Sequence, residues 1–201
     1  MLCISSVLSL LPALAAAASP TMDAPDYAGY RKIWWDNFNG AAGASPDRSR
    51  WNILDKSSNA NGELEVYTSS NKNVQISGGN TLQIIPQRNG SSWTSARLES
   101  TYIFTPEAGK VTVVEAHLSF GTDTHKQGIW PAFWFLGDSV RKTGSAYVVW
   151  PGCGEVDAFE MVSGKMTGFG TIHCDVYPGG ICNEAKGIGN SIVLPNLDWH
   201  T

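Results

Sequence analysis

The division of the sequence into short strand-like runs constrains the fold more than any other feature. Runs rich in β-branched and aromatic residues recur between clusters of Gly, Asn, Ser and Pro, at 65–68, 74–76, 81–85, 111–120 and 156–162. Within 111–120 every second residue belongs to one apolar face, which is the period of two that a strand requires. No window offers the capped, 3.6-residue periodicity over ten or more residues that predicts a helix. The pattern therefore predicts an all-β sandwich with little helix.

Length and charge limit the domain count and the class of partner. The chain has 201 residues, of which 42% are hydrophobic, and this is enough for one domain with a packed core. Its formal net charge is −4, and its 14 Lys and Arg residues form no basic stripe. Since nucleic-acid binding depends on cationic contacts to phosphates, we expect no nucleic-acid partner. We also expect the protein to be a monomer.

The N-terminal region has the composition of a signal peptide. Residues 4–18 are almost wholly apolar and end in four consecutive alanines, as a cleavage site requires. The alternative, a membrane anchor, needs about 20 apolar residues. We expect a signal peptide over 1–18, a polar linker over 19–29 and one domain over 30–201. The mature protein is then secreted, extracellular or in a cell wall, and has no membrane span.

The cysteines that remain after cleavage are odd in number. Cys174 and Cys182 can close a short loop, which would contribute roughly 2.5 kcal/mol on the loop-entropy estimate. Cys153 then has no partner in this chain. Zinc bound by these cysteines and His173 is disfavoured, because no C-x-x-C pair is present and secreted thiols oxidise. The sequence predicts neither a metal nor a cofactor.

A cluster of acids lies in the last of the strand-like runs. Glu155, Asp157 and Glu160 are three of the 18 acidic residues, within six positions. A regular strand would turn Glu160 away from the other two, whereas a β-bulge between Asp157 and Glu160 brings all three to one face. The two glutamates can then approach to about 5 Å, the separation at which one carboxylate attacks an anomeric carbon while the other protonates the leaving oxygen. The alternatives are a solvated edge strand with its acids facing outward and a short helix turn.

These acids and several other segments resemble glycoside hydrolase family 16. The segment 154–162 is similar to the active-site strand of the β-bulged, laminarinase-type members, which carry E-x-D-x-x-E. Other segments match in the family's order: an N-x-E-L-x-x-Y segment at 61–68, an Arg-bearing strand at 94–98, a W-P-A-F-W strand at 127–134, Trp150-Pro151 and a His-bearing strand at 170–173. The resemblance runs from about Trp34 to Thr201.

The resemblance implies a fold and an activity. The fold would be a concanavalin-like β-jelly-roll sandwich of two antiparallel sheets, with its last strands missing after 197–201. Glu155 would be the nucleophile, Asp157 the residue that orients it, and Glu160 the acid/base. The expected function is a retaining endo-β-glucanase acting on β-1,3- or mixed β-1,3-1,4-glucan. The alternatives are a cell-wall glucan transglycosylase and a non-catalytic glucan-binding sandwich.

Sugar-binding candidates come from the aromatic and polar residues of the same segments. Flat aromatic rings pack against the apolar faces of pyranoses, and the resemblance favours Trp134 and Trp150 for this role. Arg97, Asn61 and His173 are expected to contact substrate, although each could instead stabilise local structure. The other tryptophans considered are predicted to pack in the core: Trp34, Trp35, Trp51 and Trp130.

Overall fold

A computed structural model describes residues 23–57, 60–121, 125–143 and 149–201 of the chain. The predicted signal peptide lies outside these ranges. The chain divides into two compact units, one ending at Tyr102 and the other spanning Ile103–Thr201. Among the described residues, no helix has both the length and the apolar character needed to cross a membrane.

The described residues of the first unit form eight short strands and a 3-10 turn at Ala60–Gly62. The strands are β1 (Trp51–Ile53), β2 (Lys56–Ser57), β3 (Glu65–Tyr67), β4 (Val74–Ile76), β5 (Leu82–Ile84), β6 (Gln87–Asn89), β7 (Ser92–Ser95) and β8 (Leu98–Ser100). They form three sheets, with orders β1-β8, β2-β3-β7-β6 and β4-β5. Ile53, Val74 and Ala96 are buried at the centre of the hydrophobic cluster, and only Val74 belongs to one of the predicted strand-like runs.

The second unit is built on one four-stranded antiparallel sheet. Its strands are β9 (Ala132–Leu136), β10 (Glu155–Glu160), β11 (Thr167–His173) and β12 (Ile188–Val193), in the order β12-β11-β10-β9. The described residues also include one five-residue α-helix, α1 (Ser139–Thr143). The all-β prediction is confirmed, and four of the five predicted runs contain a strand.

The predicted strand at 111–120 is wrong. The structure has only an isolated bridge there, between Leu118 and His200, closed by two backbone hydrogen bonds of 2.8 Å. Val111 and Val113 are 71% and 52% exposed, although His117 of the same alternating set stacks on Trp199. Alternation predicts which face of a strand is apolar, but a strand also needs a neighbour to complete its hydrogen bonds.

Candidate active site

A β-bulge in β10 organises the acidic cluster. Asp157 is paired with Trp134 of β9 and Glu160 with Ala132, so three steps along β10 correspond to two along β9. The pairing with β11 shows the same shift, from Thr171 to Phe169. The strand thus contains one extra residue between Asp157 and Glu160, where the sequence predicts it, and the bulge prediction is confirmed.

The bulge turns all three carboxyl groups to one face of the sheet. Residues directly opposite on neighbouring strands share a face, and the partners of the three acids in β9 are spaced two apart: Leu136, Trp134 and Ala132. Trp134 is therefore on the same face as Asp157, where the sequence places it as a sugar platform. The opposite face carries Val156, Ile172 and Ile188, which are all exposed.

Glu155 is held by a tryptophan from the preceding loop. The indole Nε1 of Trp150 donates a 2.6 Å hydrogen bond to Glu155 Oε2. The Trp150 ring lies 5.6 Å from the ring of His173 and 6.2 Å from that of Tyr177. His173 is also the residue opposite Glu155 on β11. Two predicted substrate contacts, Trp150 and His173, are thus brought to the acidic cluster.

Glu160 has a corresponding tryptophan partner. The indole Nε1 of Trp130 donates a 2.8 Å hydrogen bond to Glu160 Oε1. Trp130 is 44% exposed, and the prediction that it packs in the core is therefore wrong. The same prediction is wrong for Trp35, also 44% exposed, whereas Trp34 and Trp51 pack edge to face with their ring centroids 5.3 Å apart.

Asp157 is the buried member of the cluster. Its burial, together with the negative charges of Glu155 and Glu160, raises its pKa to about 7, and the nearby His173 opposes this rise. Asp157 Oδ2 lies 3.5 Å from His173 Nε2. Near neutral pH this carboxyl group is therefore close to half protonated, which reduces the negative charge between the two glutamates.

A second carboxylate supports His173 from the other side of its ring. Glu184 Oε2 lies 2.8 Å from His173 Nδ1, and Glu184 Oε1 accepts a 2.8 Å hydrogen bond from the backbone N–H of Cys174. Cys174 forms the predicted disulfide with Cys182, so neither sulfur is available to a metal. Cys153 is a free thiol among the described residues, and burial raises its pKa.

Two predicted substrate contacts belong to the first unit. Arg97 follows β7 and donates through Nη2 a 2.9 Å hydrogen bond to Glu99, with which it forms an ion pair. Asn61 is exposed in the 3-10 turn and has a positive φ of 53°. The acidic cluster is in the second unit, and a substrate role for Arg97 and Asn61 stays a prediction.

Solved structures with the same fold include two endo-β-1,3-glucanases and a family 16 glycosyl hydrolase. The endo-1,3-β-glucanase from Streptomyces sioyaensis superposes with a TM-score of 0.75 at 36% identity, over 88% of this chain and 66% of that one. The endo-β-1,3-glucanase from Pyrococcus furiosus gives a TM-score of 0.56 at 30% identity, over 85% and 65%. A family 16 glycosyl hydrolase from Mycobacterium smegmatis shares the fold at 23% identity, with a TM-score of 0.54 over 82% and 64%.

The bulged E-x-D-x-x-E strand and these superpositions together decide the family. The chain belongs to glycoside hydrolase family 16. No protein-family model matches it. This family 16 chain is also 31% identical over 134 residues to the clotting factor G alpha subunit of Tachypleus tridentatus, and 28% identical over 149 residues to a keratan-sulfate endo-1,4-β-galactosidase of Sphingobacterium multivorum.

The chain spans only part of the two relatives. The matched regions are 65% and 72% of this family 16 chain but 18% and 32% of the clotting factor subunit and the galactosidase, respectively. The likeness therefore concerns one region of those longer proteins.

Three residues of the site were missed by the sequence reasoning. Trp130 was assigned to the core, although its place in the W-P-A-F-W segment was a signal for the site. Tyr177, 62% exposed beside Trp150, lies in the loop that the predicted disulfide closes. Glu184 had no signal, because a single acid after a cysteine fits no catalytic pattern.

Proposed function

We propose that this chain is a retaining endo-β-glucanase that hydrolyses β-1,3- or mixed β-1,3-1,4-linked glucan by double displacement. The observation that carries the proposal is the bulge in β10, which places Glu155, Asp157 and Glu160 on one face of the sheet. A retaining glycosidase needs two carboxyl groups close enough to act on the same glycosidic bond. The choice of β-1,3-glucan rests on the two solved glucanases above 25% identity.

In the first step a Glu155 carboxylate oxygen forms a bond to the anomeric carbon as the bond to the leaving oxygen breaks. Glu160 gives its proton to that oxygen. The Trp130 N–H bond to Glu160 Oε1 leaves Oε2 as the oxygen suited to carry this proton. The Trp150 N–H bond holds Glu155 Oε2 in a fixed orientation.

In the second step water attacks the anomeric carbon of the glycosyl ester. Glu160 takes a proton from that water as the new C–O bond forms and the bond to Glu155 breaks. Two displacements at one carbon return the original β configuration. Asp157, located between the two glutamates, orients Glu155 and changes the charge of the cluster as it gains or loses its own proton.

The proposal is tested with Glu155→Gln and Glu160→Ala on laminarin, lichenan and keratan sulfate, with reducing-end release as the readout. We expect both variants to lose at least a thousandfold in kcat on the glucans, because each removes a group that reacts. Glu107→Gln, an exposed acid of the same unit, is the matched control and should keep wild-type rates. Rates near wild type in either active-site variant would contradict the proposal.

Product analysis separates the alternatives. NMR of the first products should show β anomers, as retention requires. Longer oligosaccharides after addition of an acceptor would indicate a glucan transglycosylase. Saturable glucan binding without any reducing-end release would indicate a non-catalytic binding sandwich.

We also propose that the protein is secreted after cleavage near residue 18. The Cys174–Cys182 disulfide supports this location, because disulfides persist in oxidising compartments. N-terminal sequencing of the protein recovered from culture medium should begin shortly after the four alanines. Recovery of the uncleaved chain from the cell interior would contradict secretion.

A further inference from the structure

Glu184 is a buried carboxylate that the proposed chemistry does not use. Its side chain is 0% exposed, and its two oxygens contact the backbone N–H of Cys174 and the imidazole Nδ1 of His173, each at 2.8 Å. A carboxylate taken out of water is strongly destabilising unless it is paired and hydrogen-bonded. Since this one is fully buried beside the proposed active site, its partners indicate what it does.

The contacts of Glu184 decide which nitrogen of His173 carries a proton. An ionised carboxylate only accepts hydrogen bonds, so Nδ1 must donate to Glu184 Oε2. The other ring nitrogen, Nε2, is then directed at Asp157 Oδ2, 3.5 Å away. His173 thus connects a carboxylate outside the acidic cluster to the central acid of the cluster.

Backbone bonds fix Glu184 in this position. Its N–H donates to the carbonyl of Gly179 at 2.6 Å, and its own carbonyl accepts from Gly179 at 2.7 Å. The Cys174–Cys182 disulfide closes the loop that contains Gly179, with 5.4 Å between the two Cα atoms. Glu184 follows this loop by two residues and is bonded to it through Gly179, which fixes the backbone of a group whose role depends on orientation.

We propose that Glu184 is a positioning residue that keeps a proton on Nδ1 of His173 and so directs Nε2 at Asp157. The role rests on the proposed glucanase function, since Asp157 matters only through the two glutamates beside it. Glu184 acts through His173 and does not touch substrate. Glu184, His173 and Asp157 all belong to the second unit.

The charges around His173 give the direction of the effect. The acids that face the ring are Glu184 from the loop and Asp157 and Glu155 from β10, and Trp150 packs beside it. Glu184 places a negative charge on one side of His173, and His173 lowers the pKa of Asp157 on the other side. Removing the negative charge of Glu184 should therefore raise the pKa of Asp157 further.

The first test does not depend on activity, and it uses one variant only to assign the signals. ¹⁵N spectra of histidine-labelled wild-type protein between pH 5 and 9 report the protonation of each ring nitrogen, and His173→Gln identifies the His173 signals among the four histidines. We expect Nδ1 to stay protonated throughout this range. A proton on Nε2 with none on Nδ1 would overturn the proposal.

The second test is the pH profile of kcat/KM for Glu184→Gln. We expect the acidic limb to move up by about one pH unit, because a charge a few ångströms from the histidine is lost. Glu184→Asp keeps the charge and should keep the limb near its wild-type position, and Glu107→Gln is the control for a distant acid. A profile of wild-type shape in Glu184→Gln, whatever its amplitude, would overturn the proposal.

The two tests also separate this inference from the function on which it rests. An inactive wild-type chain whose His173 shows the expected Nδ1 proton would contradict the glucanase proposal and support the Glu184 contact. An active chain with the His173 proton on Nε2 would support the glucanase proposal and contradict the role of Glu184. If Glu184→Gln does not fold, the first test alone decides the role of Glu184.

Discussion

The indole nitrogen of Trp150 lies 2.6 Å from Oε2 of Glu155, the residue five positions further along the chain. The sequence favours Trp150 as a flat surface for a sugar, yet the structure also makes it a hydrogen-bond donor to the proposed nucleophile. A short bond to a carboxylate is stronger than one between neutral groups and fixes the orientation of the acceptor. Trp150 can therefore affect the chemical step as well as binding.

Trp150→Phe should lower kcat on laminarin by ten- to a hundredfold, about 1.5–3 kcal/mol for a hydrogen bond to a charged group. The phenyl ring keeps most of the apolar surface, so KM should change little. Trp199→Phe, at an exposed tryptophan of the same unit, should leave both parameters unchanged. A raised KM with wild-type kcat would show that Trp150 acts only as a platform.

The acidic cluster could be predicted from the sequence because its three residues lie within six positions. Spacing alone required a bulge between Asp157 and Glu160 if the three acids were to share a face, and the strand pairing confirms the bulge. The partners of these acids could not be predicted in the same way. Trp130 and Glu184 reach the cluster through tertiary contacts, which no local period records.

The raised pKa of Asp157 predicts a pH-dependent gain in stability for Asp157→Asn. The folded protein holds this proton up to about pH 7, whereas an unfolded aspartate loses it near pH 4. The unfolded state therefore binds fewer protons in this window, and the wild-type free energy of unfolding falls as pH rises from about 4 to about 7. The Asp157→Asn variant has no charge to bury at this position, so its free energy of unfolding does not fall for this reason as pH rises.

Urea unfolding of wild type and Asp157→Asn at pH 4, 5.5, 7 and 8.5 measures this effect. The free energy difference in favour of the variant should grow by up to about 4 kcal/mol between pH 4 and 7 and stay constant above. Asp198→Asn, at an exposed acid of the same unit, should follow the wild-type dependence. A difference that does not depend on pH would rule out the raised pKa.

The disulfide offers a prediction about the loop to which Glu184 is bonded through Gly179. Replacing Cys174 and Cys182 by serine should lower the free energy of unfolding by roughly 2.5 kcal/mol, through the entropy of the opened loop, and Tm by about 5–10 °C. Activity should fall as well, because Glu184 loses its fixed position. Cys153→Ser, at the free thiol, is the control and should leave Tm within about 1 °C of wild type.

Tyr177 is expected to extend the aromatic wall that begins at Trp150. Its ring is 62% exposed and lies 6.2 Å from that of Trp150. Tyr177→Ala should raise KM for laminarin about tenfold, since one stacked aromatic contributes about 1 kcal/mol or more. Tyr177→Phe keeps the ring and should stay within about twofold of wild type. Equal KM values for alanine and wild type would remove Tyr177 from the binding surface.

Gly187 packs against the site so closely that a single methyl group should disturb it. A Cβ at this position would lie 2.6 Å from Cγ2 of Thr171 and 2.8 Å from Cε1 of His173. Its backbone also has a φ of +73°, which disfavours any other residue. Gly179 provides a matched control, because its φ is +87° but a Cβ there would meet nothing within 4 Å.

Gly179→Ala should therefore cost only the backbone strain, about 1 kcal/mol, with activity retained. Gly187→Ala adds a steric clash and should cost about 3 kcal/mol or more. Because the clash displaces His173 from Asp157, kcat should also fall at least tenfold. Thermal unfolding and laminarin hydrolysis measured on both variants would check this, and equal losses would mean that strain alone explains the glycine.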